Sequence, residues 1–171
     1  MATSTGAVLQ IGDGTTSGSI NQTVNIANGG GLVYDLANGA TATLAGVISG
    51  AGTFEQKGTG STVTLSGANT STGTYTVTDG TLVMGSASSL TGANALVVNG
   101  GTLNLNGPLG SVIIPASANG ITINGGTLTM ITNGGQIGCR LSYEVRKLRQ
   151  LVLLDPLPEP HSIDVQPRLV N

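Results

Sequence analysis

The chain has 171 residues, 8 % of them charged and 2 % aromatic, and its formal net charge at pH 7 is −2. Before Cys139 the charged residues are Asp13, Asp35, Glu55, Lys57 and Asp79, so one lysine stands where a phosphate-binding surface needs a cluster, and nucleic acid is excluded as a partner of that region. The single histidine, His161, and the single cysteine, Cys139, supply neither a nucleophile and base for the region before them nor the ligands of a zinc site.

In chain order, residues 1–10 carry no charged n-region and no apolar h-region, so no secretory signal is expected there. Nowhere does an apolar run reach the roughly 18 residues of a transmembrane helix. From there on, short strands with alternating apolar residues, such as Val63, Leu65, Tyr75 and Val77, are separated by turns rich in Gly, Asn and Asp. The phrase LSGANTSTGTYTVTDGTLVM (65–84) ends in a strand, an Asp-Gly turn and a second strand opening Thr-Leu. The same pattern returns as LVVNGGTLNL (96–105) and ITINGGTLTM (121–130).

The shared leucines are Leu82, Leu103 and Leu128, at steps of 21 and 25 residues, and an earlier relative, VNIANGGGLVYDL, puts Leu32 50 residues before Leu82. Such a step is about one coil of a β-solenoid, whose coils bury an apolar face only by stacking. All 28 glycines precede Cys139, where they serve the φ > 0 positions of tight turns. The scarcity of aromatics suits a thin core of stacked Val, Ile, Leu and Thr. The expected fold is all-β: a right-handed, single-stranded parallel β-helix of about six coils over residues 1–138. Its core should contain Leu32, Leu44, Ile48, Leu65, Val77, Leu82, Leu103, Ile123 and Leu128. Strands this short would also suit a β-sandwich.

The stretch 46–82 carries a Gly-x-Gly strand opener, a Thr/Leu strand, Leu-Ser-Gly-Ala-Asn, a Thr-Gly turn and Gly-Thr-Leu. It resembles the passenger-associated repeat of bacterial autotransporters, and LQIGDGTTSGSI (9–20) and GGGLVYDL (29–36) are similar to other coils of those passengers. The resemblance implies export, an outer-membrane-anchored parent, and a non-catalytic stalk or adhesive segment at the bacterial cell surface. The polar, nearly uncharged surface expected before Cys139 would suit host glycans or surface proteins as partners, and would equally suit a passive stalk. The membrane barrel that closes such proteins is absent from this sequence.

Residues 139–171 break the pattern, with no glycine, four of the six prolines and nine of the fourteen charged residues. Leu141, Val145, Leu148 and Leu151/Val152 follow helical spacing, Ser142 offers a cap and Pro156 a stop, so a short helix followed by a proline-rich segment is expected. The tail reads either as a cap on the open solenoid end or as an appended or frame-altered segment. Arg146, Lys147 and Arg149 suit a solvated helix face better than membrane contact, and Cys139 suits an incidental thiol.

No catalytic, cofactor-binding or metal residue is expected. Some β-helix proteins are polysaccharide lyases, so Asp35, Glu55 and Lys57 are the residues to watch: convergence in one groove would favour an enzyme, dispersal a stalk. Asp13 and Asp79, each followed by glycine, are read as turn residues. The Thr-x-Thr words at Thr41/Thr43, Thr62/Thr64 and Thr74/Thr76/Thr78 raise a glycan- or ice-binding face, but they show no fixed coil period and β-branching accounts for them. Residues 1–30 offer only Asp13 and no proline to blunt an exposed edge, so end-to-end self-association is expected.

Overall fold

The computed structural model describes residues 1–85, 89–90, 95–105, 121–131 and 150–154. Its strands climb level by level. The first level holds β1 (Ala2–Thr3) and β2 (Val8–Ile11), the second β3 (Ile26–Asn28), β4 (Gly31–Tyr34) and β5 (Thr41–Leu44). The third holds β6 (Ile48–Ser49), β7 (Thr53–Gln56) and β8 (Thr62–Leu65), the fourth β9 (Ala68–Asn69), β10 (Thr74–Val77) and β11 (Thr81–Met84). Above them lie β12 (Ser89–Leu90), β13 (Ala95–Val98) and β14 (Thr102–Leu105), then β15 (Ile121–Ile123) and β16 (Thr127–Ile131), and last β17 (Gln150–Leu154).

Among the described residues every strand pairing is parallel, between one level and the next. A sandwich is built from antiparallel sheets, so that alternative is excluded. The chain is a parallel β-solenoid of about five turns, slightly fewer than the expected six coils, with two long faces. Face one stacks β2, β4, β7, β10, β13 and β15, and face two stacks β5, β8, β11, β14, β16 and β17. Short strands β1, β3 and β6, with β9 and β12 above, make the third side.

Period-two alternation decides what each face buries. On face two, Val63, Leu82, Leu103 and Leu128 stack in register, as do Leu44, Leu65, Met84 and Leu105. All nine expected core residues are buried. The 21- and 25-residue steps therefore correspond to successive levels of one rank. Leu32 is the exception in placement: it aligns with Leu9 and Phe54 on face one, not below Leu82. Both faces carry an apolar strand ending near a Gly-rich corner, so the recurring phrase alone does not say which face a copy occupies.

The core is less uniformly aliphatic than composition implies. Tyr34, Phe54 and Tyr75 form an internal ladder, with ring centroids 5.9 Å apart for the first pair and 5.2 Å for the second. Rings at such separations gain roughly 0.5–1.5 kcal/mol beyond burial. Three of the four aromatic residues of the chain thus pack together inside the solenoid, Phe54 and Tyr75 as partners in one rank and Tyr34, paired with Gln56, in the rank beside it.

Polar side chains turned inward sit at the corners. Gln56 Nε2 donates to Ser61 Oγ at 2.8 Å and to the Gly58 carbonyl at 3.3 Å, and Asn28 Nδ2 donates to the Thr53 carbonyl at 2.8 Å. Asn69 Oδ1 accepts the Ile48 amide at 2.8 Å. Each link joins two segments where the backbone leaves strand geometry and has groups to satisfy.

Leu151 and Val152, expected on a helix, lie instead on β17, which continues face two by pairing with β16 from Gln150 to Leu154. The apolar run Leu151 to Leu154 has no polar interruption, which suits a strand as well as a helix turn, and the exposed edge of β16 selects the strand. Leu141, Ser142, Val145, Leu148 and Pro156 lie outside the described residues.

Candidate functional site

The corner between β4 and β5 and the one above it, between β7 and β8, bring the charged residues closest together. Tyr34 pairs with Gln56, so the next residues, Asp35 and Lys57, meet across adjacent levels. Lys57 Nζ donates to Asp35 Oδ2 at 3.0 Å, with the lysine side chain 50 % exposed and the aspartate 11 %. Gln10 Nε2 reaches the same oxygen at 3.4 Å from the level below. Asp35 also uses its backbone carbonyl to accept the Gly14 amide at 2.6 Å, which ties the first level to the second.

Glu55 does not join them. Its register partner is Val33, on the outer side of face one, and its Oε1 accepts a hydrogen bond from Thr78 Oγ1 at 2.6 Å. Of the three residues to watch, two converge, and they converge as an ion pair. No group of three His, Cys, Asp or Glu assembles among the described residues. Cys139, His161, Arg146, Lys147 and Arg149 lie outside them.

The turn reading of Asp13 and Asp79 agrees with their geometry. Asp13 Oδ1 accepts the amides of Thr16 at 2.6 Å and Thr15 at 2.9 Å, and their hydroxyls at 2.7 and 2.8 Å. These bonds, the Thr16 amide foremost, hold the Asp13 carboxyl well below the usual carboxylate range, although the residue is exposed. Asp79 Oδ1 accepts the Gly80 amide at 2.6 Å, and its Oδ2 accepts from Thr59 Oγ1 at 2.9 Å. Asn99 and Asn124 take over this corner higher up, where Asn124 Nδ2 donates to Asn99 Oδ1 at 2.8 Å.

The threonines are more ordered than their spacing in the sequence suggests. Thr41, Thr62, Thr81, Thr102 and Thr127 align on consecutive levels of face two, and Thr43, Thr64, Val83, Asn104 and Thr129 align beside them. The words Thr41/Thr43 and Thr62/Thr64 are thus one coil apart in exact register, contrary to the reading that they lack a period. The third word belongs elsewhere, because Thr74 and Thr76 lie on face one. Unequal corner lengths between the faces hide the regularity when the words are counted along the chain.

No family model, curated protein or solved structure shows similarity to the chain. Among the described residues, no helix is long and apolar enough to cross a membrane.

Proposed function

We propose that the chain is a segment of a secreted, autotransporter-type passenger and acts as a non-catalytic stalk or adhesive element on a bacterial cell surface. The observation that carries this reading is the continuous core, in which the ranks through Leu82 and Leu65 run unbroken from level to level. A stack of this kind transmits position along its axis and needs no active-site cleft. Support also comes from the passenger-type phrases of residues 46–82, which supply the corner and strand of successive levels. Among the described residues the outer surface is polar and carries only Asp13, Asp35, Glu55, Lys57 and Asp79 as charged side chains, and host glycans or surface proteins are the partners proposed for it. The parent is proposed to be anchored in the outer membrane.

Displayed on bacteria as a fusion to an outer-membrane barrel, the chain should stand as a protease-resistant rod, and cleavage throughout the repeats would overturn the stalk reading. The competing reading is an enzyme acting on polysaccharides, for which the only favourable observation is the meeting of Asp35 and Lys57. Uronate polysaccharides incubated with the chain should give no unsaturated product. Product formation that disappears in Lys57→Met would decide for the enzyme.

A further inference from the structure

The outer side of face two is a two-dimensional array of one chemical type. Across five levels, eight of its ten outward positions are threonine: Thr41, Thr62, Thr81, Thr102 and Thr127 in one row, Thr43, Thr64 and Thr129 in the other. Rows and levels repeat at distances set by the backbone, about 4.8 Å from strand to strand and about 6.6 Å between outward residues along a strand. Such regularity requires that the strands stack without slip, as their registers do.

Three further features narrow what this array can recognise. None of the ten positions is charged, so an ionic surface has nothing to pair with. Tyr34, Phe54 and Tyr75 are all buried, so no described aromatic ring is left outside for a sugar to stack on. None of the eight threonine hydroxyls is tied to another group of the protein among the described residues, in contrast with the corner hydroxyls of Thr15, Thr16, Thr59 and Thr78. A face of free hydroxyls alternating with methyl groups holds water at fixed points and orders it over the methyls between. Because the points repeat in two directions, the water does too.

We propose that the outer side of face two binds the surface of ice, with the threonine rows anchoring a water layer continuous with the crystal. This goes beyond the stalk reading, which gives the outer surface as a whole to glycans or surface proteins, and assigns face two an occupant of its own. Stiff χ1 angles keep the array in place, since a β-branched side chain flanked by identical neighbours has little freedom to lose. The second row is interrupted twice, at Val83, which keeps the branched shape without the hydroxyl, and at Asn104, whose Oδ1 is buried with no hydrogen-bond partner and so is not offered to the water layer.

The test uses the full purified chain and reads thermal hysteresis and inhibition of ice recrystallisation. The chain should shape and slow growing crystals, Thr64→Tyr should abolish the effect to the buffer baseline with an unchanged β-type circular dichroism spectrum, and Thr76→Tyr on face one should leave it intact. The double variant V83T/N104T completes the second row and should exceed the parent chain. Should Thr64→Tyr fold poorly, Thr43→Lys on the exposed second level carries the same test. A folded chain without activity at its highest soluble concentration, equal losses in Thr64→Tyr and Thr76→Tyr, or binding to a glycan array that is lost in Thr64→Tyr would each overturn the proposal.

Discussion

Gly101 sits so closely over Gly80 that a Cβ on the upper residue would lie 2.3 Å from the carbonyl oxygen of the lower, and its φ is +60°. The reason is the inter-level hydrogen bond: the Gly80 carbonyl accepts the Thr102 amide at 2.7 Å, which draws the two corners together. Gly126 repeats the relation over Gly101, again at 2.3 Å with φ +82°. Gly101→Ala should therefore combine left-handed strain with a clash against backbone that cannot move without breaking the ladder, at a cost of about 3 kcal/mol or more. Gly39 has φ +76° and open space around it, so Gly39→Ala should cost only about 1 kcal/mol. Thermal melts of the two variants check the difference, and equal losses would contradict the glycine ladder.

Leu103 lies between Leu82 and Leu128 with no exposed surface. Truncation in Leu103→Ala should cost about 2–5 kcal/mol, since the stacked neighbours above and below cannot both close the gap. Leu103→Asp should exceed that, because a carboxylate in the column has no partner, and cooperative unfolding should be lost. A melt followed by circular dichroism measures both, and an unchanged Leu103→Asp melt would refute the core assignment.

The two buried tyrosines predict weakness in alkali. Burial pushes the Tyr75 hydroxyl up to about 12, with its bond to Ser71 Oγ acting the other way, and pushes the Tyr34 hydroxyl up further. The ordinary value is 10.0, so above it the unfolded chain releases protons that the folded chain still holds. Stability from these rings is fully present below pH 10 and falls by up to roughly 1.4 kcal/mol per pH unit for each ring as the pH rises toward the folded values. Tyr34→Phe should shift the alkaline midpoint upward in a denaturation series, and a midpoint that stays put would contradict the assigned burial.

Strand β17 predicts that the tail is felt by the rod. Truncation after Gly138 strips β16 of a parallel partner spanning five residues. The melting temperature should fall by about 3 °C or more, on the order of 1 kcal/mol for a chain of this length. An unchanged melt would return residues 139–171 to the status of an appended segment.

At the opposite end, β2 is the outermost strand of face one, and its first residue, Val8, is 65 % exposed. Its free edge offers unpaired backbone groups to a second copy. Sedimentation should show oligomers that grow with concentration, and Val8→Lys should suppress them. A strict monomer over a hundredfold range would sink the expectation.

The sequence by itself determined the solenoid, its coil length and the residues of its core. Period-two alternation from Val63 to Leu65 and from Tyr75 to Val77 states which side chains turn inward, and the Thr-Leu step after each Asn- or Asp-Gly corner repeats at coil spacing. Those are local signals, carried by a few adjacent residues. Tertiary structure alone decided which strands share a level. Leu32 belongs over Leu9 and under Phe54, Lys57 meets Asp35 while Glu55 does not, and the two Thr-x-Thr words of face two fall into register although a third lies on face one. The corners differ in length from level to level, so equal distance along the chain is not equal position around the coil. Only the inter-level hydrogen bonds, which lock each strand to the one below, convert the sequence into ranks.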